Sequence, residues 1–428
     1  MSYQSPISPG RSWYEDSVGE RPAYPQLDTS TTADVIVVGG GYTGLSAAAH
    51  LAKAGVDVVL IEQHRFGDGA SGRNGGQMGT GQRTPLDEME AALGWTRAKA
   101  LFDLAEEAKA HLLEFTAANG IDIDYMPGQL SVAHKERYVD DYRRYADYMR
   151  ERAGYPHVSF MDASETADRL GSTRYFGGVR DTGTGHIHPM KLTVGTARVA
   201  AQADARLFEN TPATGISRRT GKVVVATPRG TITADRALLA VNAYGRDLEP
   251  VSAAHVMPIG SFIGATVPLP ADSPVLPGGE SVDDSRFVVR YFRKSRDGRL
   301  LFGGREIYSG TDPKGITEQI RHQIAEIYPA LKDIEITHAW GGYVGITIPR
   351  MPFVREVMPG VTFAGGWSGH GVMLSNFVGK LYAETITGNR DRLRLLHELN
   401  IPAFPGGRWL RQPLLFLALN WYALRDRI

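Results

Sequence analysis

Three glycines and one carboxylate make the first chemically legible group in the chain. Gly39, Gly41 and Gly44 fall in the spacing G-x-G-x-x-G, and Glu62 stands 23 residues after the first of them. Glycines at this spacing make a tight turn and let bare backbone approach a pyrophosphate. A carboxylate at that remove accepts hydrogen bonds from both hydroxyls of an adenosine ribose. Together they point to a bound dinucleotide. Directly after Glu62 runs Arg65–Gln77, in which seven of thirteen residues are glycine, alanine or serine. Such a segment presents N–H groups to phosphate or to a flat ring without side-chain obstruction. A second glycine cluster, Gly365-Gly366-Trp367-Ser368-Gly369-His370-Gly371, lies near the other end of the chain.

Each group requires elements to hold it. Val35–Val38 is a short β-branched run of the kind that makes a buried parallel strand. The following segment carries Ala47, Ala48, Ala49 and Ala52, small residues suited to a helix lying close on a sheet, and Gly55 stands where a C-terminal cap belongs. Val56–Ile61 reads as the second strand, with Glu62 at its end. Val361–Ala364 predicts a strand running into the second glycine cluster, followed by a helix over Val372–Gly388. The N-terminus of that helix brings partial positive charge to a glycine-rich site. Ala237–Val241 predicts another buried strand, returning the chain to the nucleotide unit through Asn242-Ala243-Tyr244-Gly245.

Between these pieces, Asp87–Arg152 has a helical pattern broken at Gly120, with a strand near Gln129–Ala133. Tyr155–Leu170 reads as a short strand and helix. Gly183-Thr184-Gly185-His186-Ile187-His188-Pro189 precedes a helix over Met190–Ala203, with proline at a helix-start position. His186 and His188 are read as shaping that start rather than as catalysts. Leu207–Arg218, Val223–Ala226 and Thr231–Ala234 predict a small β-meander. Met257–Leu269 and Phe287–Gly304 look antiparallel, the latter folded at Asp297-Gly298.

The 428 residues hold 47 Lys plus Arg against 47 Asp plus Glu. With no net charge there is no general field for nucleic acid or an anionic membrane. The chain has no cysteine. That excludes disulfides, zinc–thiolate sites and cysteine-tethered cofactors, and no metal is expected. The first 27 residues have neither the apolar core of a secretory signal nor the acid-poor composition of a transit peptide. No stretch is long enough to span a bilayer. The expectation is a cytoplasmic protein with its oligomeric state left open. The tail from Arg408 to Arg425 is apolar with basic ends, a pattern that fits docking on the body or contact with a membrane surface.

Two glycine-rich strand–turn–helix sites argue for FAD rather than NAD. The chain resembles the D-amino-acid-oxidase-like family of FAD enzymes in VVGGGYTGLSAAAHLA, GASGRNGGQ, GHIHP, WSGHGV and the tail segments FPGGR and ALRDR. The resemblance implies an α/β fold. It pairs a Rossmann-like, glutathione-reductase-like FAD-binding domain with an α+β substrate domain on a mixed or antiparallel sheet. The expected division is an arm over 1–32, an FAD domain from 33–85, 157–250 and 350–390, a substrate domain from 86–156 and 251–349, and a tail over 391–428.

The resemblance also carries over residues. Gly39, Gly41, Gly44 and Glu62, flanked by Tyr42, Thr43 and Gln63, map to the adenosine half. Ala70, Ser71, Arg73, Asn74, Gly75, Gly76 and Gln77 map to the pyrophosphate and flavin side. Gly366, Gly369, His370, Gly371 and Val372 map to the pyrimidine edge. Relatives that tether flavin use histidine or cysteine. Here Arg73 and Asn74 stand in the corresponding stretch, so FAD is expected to be non-covalent. The implied activity is oxidation of an amine C–N bond, with γ-glutamylputrescine or a similar N-acylated or N-substituted amine as the expected substrate; a flavin-binding protein without turnover is the alternative of another class. Tyr343, Trp367 and His370 are the candidates nearest the chemistry. Tyr291, Tyr343 and Trp367 are candidates for an apolar wall, and Arg290, Arg293 and Arg305 for pairing with a substrate carboxylate. Sarcosine-oxidase-like members place a lysine over the flavin to assist oxygen. The comparable strand Arg299–Gly304 has none, which leaves oxygen and a quinone or protein acceptor both open.

Overall fold

β-Branched runs flanked by glycine turns set the frame of the molecule. The computed structural model describes residues 10–245, 248–307 and 315–407, with 305–307 described in backbone only. Among these residues the strands in chain order are β1 (Thr31–Val38), β2 (Val58–Ile61), β3 (Met126–Val132), β4 (Val158–Met161), β5 (Gly178–His186), β6 (Arg206–Phe208), β7 (Gly215–Arg219) and β8 (Lys222–Thr227). They continue with β9 (Gly230–Leu239), β10 (Met257–Pro268), β11 (Ser281–Asp284), β12 (Tyr291–Lys294), β13 (Arg299–Ile307), β14 (Ile336–Ile346), β15 (Phe353–Met358) and β16 (Val361–Gly365).

The first sheet runs β15-β16-β9-β1-β2-β6, with the hairpin β7-β8 joined to β9. β1 pairs in parallel with β2 and β9, as the βαβ reading requires. The crossover helix is α2, and its residues run Tyr42–Lys53. Gly39 has φ +111°, a conformation side chains resist. A Cβ on Gly44 would sit 1.9 Å from the carbonyl oxygen of Gly39, so only glycine lets α2 start that close to β1. The later helix Gly371–Ile386 lies against α2 just as tightly. A Cβ on its Gly379 would meet the Thr43 carbonyl oxygen at 2.4 Å. The alanines that follow on α2, Ala47, Ala48 and Ala49, are fully buried there.

The second sheet runs β14-β10-β13-β12-β11-β3-β5-β4 and is antiparallel except where β11 meets β3. One face buries Leu130, Val132, Phe262, Phe292 and Phe302. The helix Ile316–Ile327 covers it, presenting Ile316, Ile320, Ile324 and Ile327 at the spacing of one helical face. Each such isoleucine contributes about 1.5–3 kcal/mol when taken out of water. The opposite face turns toward the glycine-rich loop after β2.

Several expectations shift. β4 and β5 fall inside the 157–250 segment that the expected division grouped with the first sheet, yet they pair in the second, β5 against β3. The reason is tertiary: β5 and β3 lie far apart in sequence and carry no local mark of the sheet they join. Thr231–Ala234 and Ala237–Val241, read as two strands, are one continuous β9. Exposed Asp235 and Arg236 interrupt its apolar pattern without interrupting its backbone. β6 leaves the expected meander and pairs in parallel with β2. The N-terminal arm is more than an extended strip, because Trp13–Ser17 forms a short helix, α1, capped by Ser12. Trp13 and Tyr14 are buried against Met190, Ile263 and Trp340. No helix among the described residues is long and apolar enough to cross a membrane. The tail reading over 408–425 lies outside the described residues.

Candidate active site

Two helix N-termini open onto one cleft of about 470 Å³. Neither α2, capped by Gly41, nor the helix Gly371–Ile386, capped by His370, receives a hydrogen bond from its own capping side chain. From the first sheet, Gly39, Gly41, Tyr42, Thr43, Glu62 and Gln63 line the cleft. The loop after β2 adds Ala70, Ser71 and Asn74, and the far end is closed by Tyr343, Trp367, Gly369, Gly371 and Val372. Glu62 accepts from the backbone N–H of Gly40 at 2.7 Å and of His64 at 3.0 Å. Burial pushes its carboxyl pKa up, and those two N–H donors act in the opposite direction. Ser71 Oγ accepts from the N–H of Tyr42 at 2.9 Å, tying the loop to the start of α2. Asn74 stiffens the same loop. Its amide donates to Ala70 and Ser71 carbonyls, and its Oδ1 accepts from the N–H of Gly76 at 2.8 Å.

Other expected residues sit elsewhere. Arg73 does not line the cleft. Its side chain is completely buried, paired with Glu15 at 3.1 Å and donating to the Gly341 and Gly10 carbonyls at 2.5 and 2.6 Å. It clamps the N-terminal arm and β14 to the loop, and this corrects its expected place at the pyrophosphate. Gly44 lies beneath the cleft as a packing residue. Gly75 and Gly76 serve the loop's underside: the Gly75 carbonyl accepts from Arg293 Nε at 2.6 Å, and the Gly76 carbonyl from the N–H of Ile187 at 2.9 Å. Gln77 donates to the Val282 carbonyl at 2.9 Å, toward the second sheet. Gly366 donates its N–H to Asn242 Oδ1 at 2.9 Å.

His370 faces the Gly79 backbone rather than the cleft, and burial pushes its imidazole pKa down to about 3. It is neutral at pH 7, which removes it as a source of positive charge. Tyr291 packs across Gly75 and Gly303 behind the loop. Arg293 is consumed by Gly75, Ile187 and the Tyr14 hydroxyl, and Arg290 pairs with Glu326. Arg305 lies on β13, and its side chain is outside the described residues. His188 caps the helix Pro189–Gln202 by accepting from the Lys191 N–H, and His186 bonds to the Gly279 carbonyl. His188 thus shapes the helix start as read, whereas His186 ends β5 and ties it to the Gly279 loop instead.

Sequence reasoning missed Asn242 and Tyr244 as cleft residues. The Tyr244 hydroxyl accepts from the N–H of Tyr343 at 2.9 Å, and the two rings meet edge to face. The polar turn after β9 was visible as a return point, and its place at the end of a parallel strand beside a glycine site was the signal.

These features define a dinucleotide-binding α/β fold with one cleft at two helix starts. A family model described as FAD dependent oxidoreductase, DAO, matches residues 34–385, and the chain belongs to that family. It is 63% identical over 427 residues, spanning both chains completely, to a "Probable oxidoreductase OrdL" of Rhizobium meliloti (strain 1021). It is 35% identical over 420 residues to the γ-glutamylputrescine oxidoreductase of Escherichia coli (strain K12), covering 97% of this chain and 98% of that one. In fold it resembles the crystal structure of glycine oxidase from Geobacillus kaustophilus, with a TM-score of 0.73 at 23% identity over 86% of this chain and 99% of that one. The protein is an FAD-dependent oxidoreductase.

The cleft residues fit FAD: side-chain-free turns at Gly39–Gly41, a carboxylate at the end of β2, and a second helix N-terminus at Gly371. Held by Gly39, Gly41, Glu62 and the Gly371 helix start, FAD would supply the two-electron acceptor. The chain supplies orientation, exclusion of water and, at the N-terminus of Gly371–Ile386, a dipole that favours negative charge at that end of the cleft. No cysteine exists to tether the cofactor. Acid precipitation is expected to release FAD into the supernatant. Flavin retained in the washed pellet contradicts this.

Proposed function

We propose that the protein oxidises γ-glutamylputrescine, or a similar N-acylated amine, at its primary amine. The products are an aldehyde, ammonia and hydrogen peroxide. The observation that carries the reading is the 35% identity to γ-glutamylputrescine oxidoreductase, which runs the length of both chains. Two electrons and two protons leave the C–N unit, water then replaces the nitrogen, and oxygen as final acceptor takes up both to become hydrogen peroxide. The carbon releases hydride readily only when the amine is neutral. A cleft end walled by Tyr343 and Trp367 disfavours an ammonium by desolvation. No general acid or base is required beyond loss of the ammonium proton on binding.

Anaerobic bleaching of the flavin tests the substrate. γ-Glutamylputrescine is expected to bleach it faster than putrescine, because the free diamine brings a second ammonium that must be desolvated. Faster bleaching by putrescine or sarcosine removes this substrate while leaving the family intact.

A second reading, a dehydrogenase passing electrons to a quinone or protein, is favoured by one observation. No lysine or arginine occurs among the described residues lining the cleft, and His370 is neutral. A cation near the reacting atoms promotes reduction of oxygen by stabilising developing negative charge. Stopped-flow reoxidation in air-saturated buffer decides. As an oxidase, the substrate-reduced protein reoxidises at least as fast as it turns over, with no ionisation near pH 6.5 because His370 does not titrate there. Reoxidation slower than turnover with an artificial acceptor selects the dehydrogenase.

A further inference from the structure

β14 ends the second sheet, with β10 on one side of it only. Alternate residues of an edge strand turn their N–H and C=O groups away from the sheet, and those groups need partners from elsewhere. Here the partners come from the other side of the cleft. The Gly341 carbonyl accepts from Arg73 Nε at 2.5 Å, and the Tyr343 N–H donates to the Tyr244 hydroxyl at 2.9 Å. The Gly345 carbonyl accepts from the Ser368 N–H at 2.8 Å, and just past the strand the Thr347 N–H donates to Ser368 Oγ at 3.2 Å. The strand is thus stitched in turn to the loop after β2, the turn after β9 and the turn after β16. It crosses the middle turn so closely that a Cβ on Gly345 would stand 2.2 Å from Asn242 Oδ1.

Among these stitches, the one at Tyr244 falls on the residue that brings a side chain to the cleft, Tyr343. Tyr244 holds it twice. Its hydroxyl takes the backbone N–H, and its ring meets the Tyr343 ring edge to face, with centroids 5.5 Å apart and planes at 70°. Tyr244 is itself seated on both sides. A Cβ on Gly69 would touch its ring at 3.6 Å, and one on Gly342 would touch its hydroxyl at 3.5 Å. Both are ordinary contact distances, so the side chain reaches from the loop after β2 to β14 and fills the space between them.

We infer that Tyr244 is a positioning residue for the oxidation: through its hydroxyl it fixes where Tyr343 stands at the end of the cleft. The inference rests on the reading of Tyr343 as part of the wall along the substrate's alkyl chain. Without the hydroxyl, the strand edge is held only at Gly341 and Gly345, and the segment between them relaxes. A small shift there leaves the apolar contact between ring and chain nearly intact. It displaces the reacting carbon, however, and a displacement of about 1 Å is enough to lower a rate far more than an affinity. Tyr244 therefore governs the rate of the reductive step more than the hold on the amine.

The test compares FAD-loaded wild type with Tyr244→Phe, which keeps the ring and removes only the hydroxyl. Hydrogen exchange at the Tyr343 amide is expected to speed up about three- to tenfold, the range of one neutral hydrogen bond. The Thr347 amide, held by Ser368, is the reference and changes by less than about twofold. In anaerobic stopped flow with γ-glutamylputrescine, and with sarcosine in parallel, the limiting rate of flavin bleaching falls about three- to tenfold. The apparent affinity for the amine changes by less than about twofold. A merely structural tyrosine would lower the unfolding midpoint and leave the limiting rate alone. In a Tyr343→Ala chain, Tyr244→Phe is expected to add less than about twofold, because the ring it positions is gone. Unchanged exchange at Tyr343, an unchanged bleaching rate, or an equal rate loss in the Tyr343→Ala chain overturns the inference. If neither amine bleaches the flavin, the exchange result decides alone. The two readings fail separately. Faster exchange and slower bleaching by sarcosine, with none by γ-glutamylputrescine, rejects that amine alone. Bleaching by γ-glutamylputrescine with unchanged exchange rejects the role of Tyr244 alone.

Discussion

Replacing Glu62 with alanine is expected to weaken FAD binding by about two orders of magnitude. A carboxylate has roughly four acceptor positions, and Glu62 gives two of them to the N–H groups of Gly40 and His64. The rest are free for the two ribose hydroxyls. Each charge-assisted bond lost costs about 1.5 kcal/mol at the low end, so two cost about 3 kcal/mol, or about 10²-fold in affinity. The variant also releases Gly40 in the middle of the phosphate turn, which adds to the loss. Glu62→Gln keeps one acceptor and the shape of the side chain, and is expected to fall between alanine and wild type. Titration of the apoprotein with FAD measures both. An alanine variant within threefold of wild type would place the ribose somewhere other than the end of β2.

The second large effect concerns stability. Arg73→Met is expected to destabilise the apoprotein by about 3–5 kcal/mol, the usual consequence of stranding one partner of a buried ion pair. The side chains of Arg73 and Glu15 are 0% and 3% exposed, so solvent cannot stand in for the lost guanidinium. The carbonyls of Gly341 and Gly10 lose their donor as well. Adding Glu15→Gln to the same chain removes the stranded charge and is expected to recover part of the loss. A double-mutant cycle on the unfolding midpoints shows this as non-additivity. FAD affinity of the folded variant should change little, because Arg73 does not line the cleft. A pyrophosphate ligand would behave in the opposite way, losing FAD affinity while the apoprotein kept its midpoint.

The contrast between Glu62 and Arg73 shows where sequence reasoning holds. Glu62 is placed at the cofactor by its own spacing, Arg73 only by the family resemblance. Glu62 ends the second strand of a unit whose turn, helix and strands are all set within Ala33–Gln63. Its place follows from glycine sterics and strand periodicity, which act over a few residues. Arg73 sits in a loop with no period of its own, and the partner that orients it, Gly341, lies 268 residues away. The same distinction separates Tyr343 and Trp367, which line the cleft, from His370. Glycine spacing located the second helix start, but the charge of His370 depended on what buried it.

By itself, then, the sequence determined the dinucleotide unit, the second glycine-rich helix start, the absence of a thiol tether and the antiparallel character of much of the second half. These are consequences of local backbone freedom, residue period and composition, and they need no knowledge of distant segments. The tertiary structure alone decided that β4 and β5 join the second sheet, that Arg73 and Arg293 clamp the loop rather than meet a ligand, and that Asn242 and Tyr244 border the cleft. It alone brought Asp283 to Ser131 across 152 residues of chain. Which polar group meets which across a sheet is set by strand register and by the burial of opposite faces, and neither is written in the spacing of residues along one segment.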